Sequence, residues 1–294
     1  MNIATDDVRA VQVAAVQHCA TTDVAGNLDV VERLALDARD AGAEVVMTAE
    51  AFAYIGPDRG KRALLEPLPS GGPILDRCRR LAVRLGCDLV LGGFHEAAPD
   101  AGKAFNTCVH LDAGGEVAAL YRKIHLFDIE LADGTELHES RRTAPGDALT
   151  TTRLPFGLLG LTICYDVRFP YLYQALADQG AVALTVPSAF TATTGAAHWH
   201  ILLRARAIEC QCYVIAPAQH GRHNDRRRSY GHSLIVDPWG EVIAECQAGD
   251  GFALAFIDPA RVAQVREQLP CLNHRVAASS LQPPQSGAKE SCGD

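Results

Sequence analysis

Residues 158–186 read LLGLTICYDVRFPYLYQALADQGAVALTV, and the fold turns on this stretch. Leu158–Ile163 is a short apolar run with the look of a buried strand. Tyr171–Gln179 has a helical pattern, and Ala181–Val186 is a second apolar strand. Strand, helix and strand in succession are the unit of a layered α/β sheet. Between the first strand and the helix stands Cys164, followed at once by Tyr165, Asp166 and Arg168. It is either the last core residue of its strand or a nucleophile at the strand's exit.

The same alternation extends both ways. Upstream, Val11–Val16, Glu44–Met47 and Cys87–Gly92 read as strands, with helices at Leu28–Ala41 and at Pro73–Leu85, the latter entered with proline at its start. Asn106–Leu111 and Val117–Tyr121 flank Asp112-Ala113-Gly114-Gly115 and read as a hairpin. Downstream come a helix at His198–Glu209, a strand at Cys212–Ala216, and strands at Ser233–Val236, Glu241–Ala244 and Gly251–Ile257. The helix Pro259–Gln268 follows. βα units mixed with hairpins favour an α/β layered domain with a mixed sheet or two packed sheets. The expectation is one domain over residues 1–275 and a disordered tail over 276–294, rich in Pro, Ser, Gly and charge.

The 294 residues are 48% hydrophobic and 21% charged, a globular balance. A net charge of −8, from 27 basic and 35 acidic residues, argues against general nucleic-acid binding. No apolar run approaches a membrane span, and the acidic, weakly apolar N-terminus lacks a secretory pattern, so a cytoplasmic protein is expected. Ten cysteines are scattered without a CxxC pair, which disfavours a zinc ribbon; most are expected to be small buried hydrophobes.

Ligands in α/β folds bind outside strand ends. Three reactive groups stand there: Glu50 after Val45–Met47, Lys123 after Val117–Tyr121, and Cys164. Each alone reads as a surface charge or a core thiol. Together they make a chemical set. A thiol of ordinary pKa needs a base or a cation before it attacks well. Glu50 can take its proton, and Lys123 can stabilise the thiolate and then an oxyanion, with the Tyr165 N–H as a second donor. A Cys–His dyad stays open at this level, since the chain has eleven histidines.

TAEAF around Glu50, YRKIHLFD around Lys123 and GLTICYDVRFP around Cys164 resemble the segments carrying the Glu–Lys–Cys triad of the nitrilase superfamily of carbon–nitrogen hydrolases. PSAFTATTGAAHWHILLRARAIECQCYV extends the match, which runs from about Val11 to Arg275. The resemblance implies a four-layer α-β-β-α sandwich with two facing mixed sheets and a homodimer or higher homo-oligomer joined through helices near Cys164 and His198. It also implies a second glutamate that holds the lysine and assists proton transfer, matched by Glu139 in LHES, with Glu130 and Glu136 in the same segment as the alternatives. The chemistry implied is hydrolysis of a linear amide through a Cys164 thioester, with no cofactor or metal. SYGHSLIVDPWGEV (229–242) and LPCLNHR (269–275) resemble the Nit branch, whose members include amidases acting on deaminated glutathione. ω-Amidase, nitrilase and N-carbamoyl amino acid hydrolase are the enzymatic alternatives, and an idle interaction module on the same scaffold is the non-enzymatic one. The chain departs from the pattern at Thr48-Ala49 before Glu50, at Tyr171 and at Ala196.

Other features read more plainly. His198 and His200, two apart on a helix, point to different faces, which disfavours a metal site. Cys210 and Cys212 have the wrong spacing for a redox pair and are expected to be buried. The run 222–228, with four arginines, reads as a solvated loop from which one arginine can reach a carboxylate at a pocket rim. Arg168 either pairs with Asp166 or faces a substrate carboxylate, with the pairing favoured. Tyr54, Phe190, Thr191 and Thr194 flank strand exits and are expected to line the pocket.

Overall fold

The computed structural model describes residues 8–100, 102–130 and 136–276. Two six-stranded mixed sheets face each other. In the first, the order is Gly251–Ile257, Val11–Gln17, Val45–Met47, Asp88–Ala97, Ala104–Leu111 and Val117–Arg122; the pairings either side of Val45–Met47 are parallel, the others antiparallel. In the second, the order is Val242–Glu245, Leu234–Val236, Tyr213–Ala216, Ala181–Thr185, Gly157–Leu161 and Thr151–Leu154, with Ala181–Thr185 parallel to both neighbours.

Alternation along the strands builds the layers. Val11, Val13 and Ala15 face the second sheet and share a core with Leu159, Leu161 and Ala183. Ala14 and Val16 face the other way, against Leu28, Val31, Leu75 and Leu81 of the helices Val24–Asp40 and Pro73–Leu85. Outside the second sheet lie the helices Pro170–Asp178 and Ala192–Cys210, which bury Leu176, Trp199 and Leu203. Strands covered on both faces read as continuous apolar runs, and this is why they were legible. The result is the four-layer α-β-β-α sandwich.

Several boundaries differ from expectation. The first helix begins at Val24 rather than Leu28: Asp23 caps it, accepting from the Gly26 N–H, and the glycine in its first turn, Val24-Ala25-Gly26-Asn27, hides the start. The helix expected from His198 begins at Ala192. Its interior Gly195 looks like a breaker, yet a side chain there would meet the Tyr230 Cβ at 2.3 Å. The third strand does not stop at Gly92 but passes an irregularity and continues to Ala97. The stretch from His125 to Gly146 holds two paired strands, Asp128–Glu130 and Glu136–His138, then a 3-10 turn at Glu139–Arg141. The tail expected from 276 lies, apart from Val276, outside the described residues. Among the described residues no helix is long and apolar enough to cross a membrane.

Candidate active site

The C-terminal ends of strands from both sheets open on one cavity of about 640 Å³, lined by Glu50, Lys123, Glu139 and Cys164. That volume suits a small organic ligand. Cys164 follows Gly157–Leu161 by three residues and starts a 3-10 turn, Cys164–Arg168. Its φ of 48° lies in the left-handed region, a strained choice for a non-glycine residue, and its N–H donates to the Pro187 carbonyl (3.0 Å). The turn thereby holds the thiol at the strand exit.

Glu50 is buried, and both its oxygens are engaged. Oε1 accepts from Asn106 Nδ2 (2.9 Å) and Lys123 Nζ (3.3 Å), and Oε2 from the Ala189 N–H (2.7 Å). Burial pushes its carboxyl up, but Lys123, Arg227 and the Ala189 N–H outweigh that and hold it well below the usual carboxylate value. Lys123, only 2% exposed, donates also to Glu139 Oε2 at 2.8 Å. Burial lowers its pKa, whereas Glu139 and Glu50 raise it; the balance is upward, so the ammonium stays charged. Glu139 Oε2 is fixed in turn by the Phe127 N–H (2.8 Å).

The Cys164 thiol is pushed the other way, far above its usual value, first by burial and then by the Glu50 charge. At rest Cys164 is therefore a neutral thiol beside an ionised Glu50 and a charged Lys123.

Sequence reasoning missed Asn106 and the Ala189 N–H. Asn106 Nδ2 bridges Glu50 and, at 3.3 Å, Glu139. A buried amide near the start of a strand that continues into Cys108 and Val109 is the signal that could have marked it. The expected Asp166–Arg168 pairing is absent. Asp166 instead accepts from the Ile163 N–H, the Tyr121 hydroxyl and the His125 N–H at 2.9, 2.8 and 3.0 Å, so it ties the lysine segment to the cysteine turn. Arg168 lies 5.3 Å from the Phe190 ring and reaches His198 Nδ1.

Of the expected lining residues, Thr191 faces the cavity. Tyr54, Phe190, Thr194 and Arg168 do not line it. The Tyr54 hydroxyl donates to the Pro57 carbonyl, Phe190 packs on Trp199, and Thr194 bonds Thr191. The Tyr165 ring stacks edge-on to Phe127 and Phe169.

The run 222–228 is not wholly a solvated loop: it joins the paired strands His220–Arg222 and Arg228–Tyr230, and Arg227 lines the cavity. Thr48 accepts from the Gly92 N–H (3.1 Å), a bond available to it at this departure from the family pattern. Cys210 and Cys212 are fully buried. His198 and His200 have different partners, Arg168 and Glu245. Among the described residues, His200, His232 and Glu245 form one group able to offer three metal ligands, and Glu130, Glu136 and His138 another. Neither includes a member of the Glu50–Lys123–Cys164 set.

Over residues 12–267 the chain matches the family described as carbon-nitrogen hydrolase. It is 46% identical over 268 residues to the deaminated glutathione amidase of Homo sapiens, covering 90% of this chain and 81% of that protein. Among solved structures it resembles the Caenorhabditis elegans NitFhit protein, with a TM-score of 0.86 and 39% identity. That match covers 91% of this chain and 65% of that longer one, so the chain spans less than two thirds of it. It also resembles an amidase from Nesterenkonia sp. AN1 in which the acetamide moiety of fluoroacetamide is covalently added to the active-site cysteine. There the TM-score is 0.74 at 25% identity, covering 93% of this chain and 99% of that one.

Proposed function

The chain belongs to the carbon–nitrogen hydrolase family, and on that premise we propose that it is an amidase that cleaves deaminated glutathione through a Cys164 thioester. The observation that carries this reading is the convergence of Glu50, Lys123 and Cys164 on one cavity, with Lys123 Nζ 3.3 Å from Glu50 Oε1.

A neutral resting thiol means that attack and deprotonation go together. Sγ adds to the amide carbonyl as its proton passes to Glu50, and the charge appears on the carbonyl oxygen beside Lys123 and the Tyr165 N–H. Transferring the proton first would leave a desolvated thiolate beside a neutral Glu50, a state that burial of the thiol disfavours. Glu50 then gives the proton to the leaving nitrogen, and the C–N bond breaks. A water, deprotonated by Glu50, attacks the thioester; its proton returns to the thiol as the carboxylic acid leaves. Glu139 holds Lys123 in line throughout.

The known relatives named for deaminated glutathione support that substrate. Exposed Tyr171, Ile201 and Ile208 on the helices Pro170–Asp178 and Ala192–Cys210 support a homodimer joined there. Nine free thiols among the described residues support the reducing cytoplasm as its compartment.

The test is release of cysteinylglycine or ammonia from a panel: deaminated glutathione, α-ketoglutaramate, a simple nitrile and an N-carbamoyl amino acid. Deaminated glutathione is expected to turn over fastest, and Cys164→Ala to abolish turnover. Undiminished turnover by Cys164→Ala would sink the mechanism, and preference for another member of the panel would move the substrate assignment.

A further inference from the structure

We propose that Lys61 and Arg227 together form a receptor for a carboxylate group of the substrate. This rests on the hydrolase reading above and names the substrate class that the cavity selects: linear amides carrying a carboxylate beyond the scissile carbonyl.

The cavity's charged side chains mostly satisfy one another. Lys123 pairs with Glu50 and Glu139, Arg142 with Asp58 at 3.3 Å, and Arg141 with Glu136 at 3.8 Å. Lys61 and Arg227 also line the cavity, and neither side chain has a hydrogen bond or ion pair among the described residues. They come from different elements, the short helix Asp58–Arg62 and the connection before Arg228–Tyr230. Of the arginines in that run, Arg222 pairs with Asp225, and Arg226 and Arg228 are exposed; Arg227 is the one turned to the cavity.

The burial of Lys61 points the same way. Burial lowers the Lys61 ammonium's pKa; Glu139 and Asp58 raise it, and the positive charges of Lys123 and Arg227 lower it further. Desolvation is the largest influence on Lys61, and a desolvated cation with no direct partner gains from a hydrogen-bonding anion. A guanidinium and an ammonium suit a carboxylate, the first as a two-pronged donor and the second as a point charge. A neutral amide would leave both without a direct anionic partner. Deaminated glutathione carries a carboxylate at each end, so it meets the requirement from either side of the bond that is cut.

The experiment uses the full-length Cys164→Ala protein, which keeps the cavity without turnover, and calorimetric binding of glutarate and of its uncharged counterpart glutaramide. The parent is expected to prefer glutarate. Arg227→Gln and Lys61→Met should each reduce the glutarate-to-glutaramide affinity ratio ~10-fold or more, and Arg227→Lys should restore part of it. A ratio within about 2-fold of the parent in both loss variants overturns the proposal, as does a parent with no preference for glutarate. The two sites lie on separate elements, so misfolding of one variant leaves the other as the test. Because binding is read without catalysis, its outcome is separate from failure of the hydrolase reading, which shows as absent Cys164-dependent turnover.

Discussion

At Cys164 the protein keeps a protonated thiol beside an ionised carboxylate, and this ordering of charge is testable. A thiol with a raised pKa has less thiolate at neutral pH than an ordinary cysteine at 9.0, and its alkylation rate keeps climbing as pH rises past that value. Mass spectrometry of the Cys164 peptide after iodoacetamide pulses should show no plateau below about pH 9. Glu50 is the second cause of the shift, after burial. Glu50→Gln should therefore move the alkylation profile to lower pH while cutting kcat by about 10²–10⁴-fold through loss of the base. A profile unmoved by that substitution would mean that Glu50 and the thiol do not share a field. Glu139→Gln should lower kcat more than it alters KM, because its contact is to Lys123 rather than to the ligand.

Among the elements, the irregularity inside the strand Asp88–Ala97 shows how tightly the site is positioned, through Gly93. It sits at φ +73°, where a Cβ would lie 2.8 Å from Glu50 Cγ and 2.9 Å from both the Ala51 nitrogen and Asn106 Oδ1. Backbone strain alone should cost Gly93→Ala ~1–3 kcal/mol, and displacement of Glu50 should reduce kcat beyond what lost stability explains. Thermal melting alongside steady-state kinetics separates the two. Asp166 joins the segments that carry Lys123 and Cys164. Asp166→Ala would release the His125 N–H and strand the buried Ile163 N–H and Tyr121 hydroxyl, each buried unpaired donor costing about 1–3 kcal/mol. A denaturation midpoint equal to that of the parent would deny this role.

For the molecule as a whole, the proposed dimer places the outer helices of the second sheet face to face. Ile201 is 69% exposed and Tyr171 61%, so Ile201→Glu should shift sedimentation toward the monomer at micromolar concentrations. Much of the architecture was readable because both sheets are covered on two sides. Buried strands must be apolar throughout, and their ends therefore stand out where Glu50, Lys123 and Cys164 appear. The helices Pro73–Leu85 and Pro259–Gln268 were also readable to the residue, each opening on a proline that suits a first turn. The sequence pattern by itself thus determined the α/β class, the strand exits and the reactive groups set on them, while the four layers followed from the family resemblance. Only the tertiary structure decided that Asn106 bridges the two glutamates, that the Ala189 N–H holds Glu50, that Asp166 serves the lysine segment rather than Arg168, and that Lys61 and Arg227 face the same cavity. Those relations join residues tens to hundreds of positions apart. Local patterning records which face of an element is apolar, whereas the packing of the two sheets sets which polar groups meet at their ends.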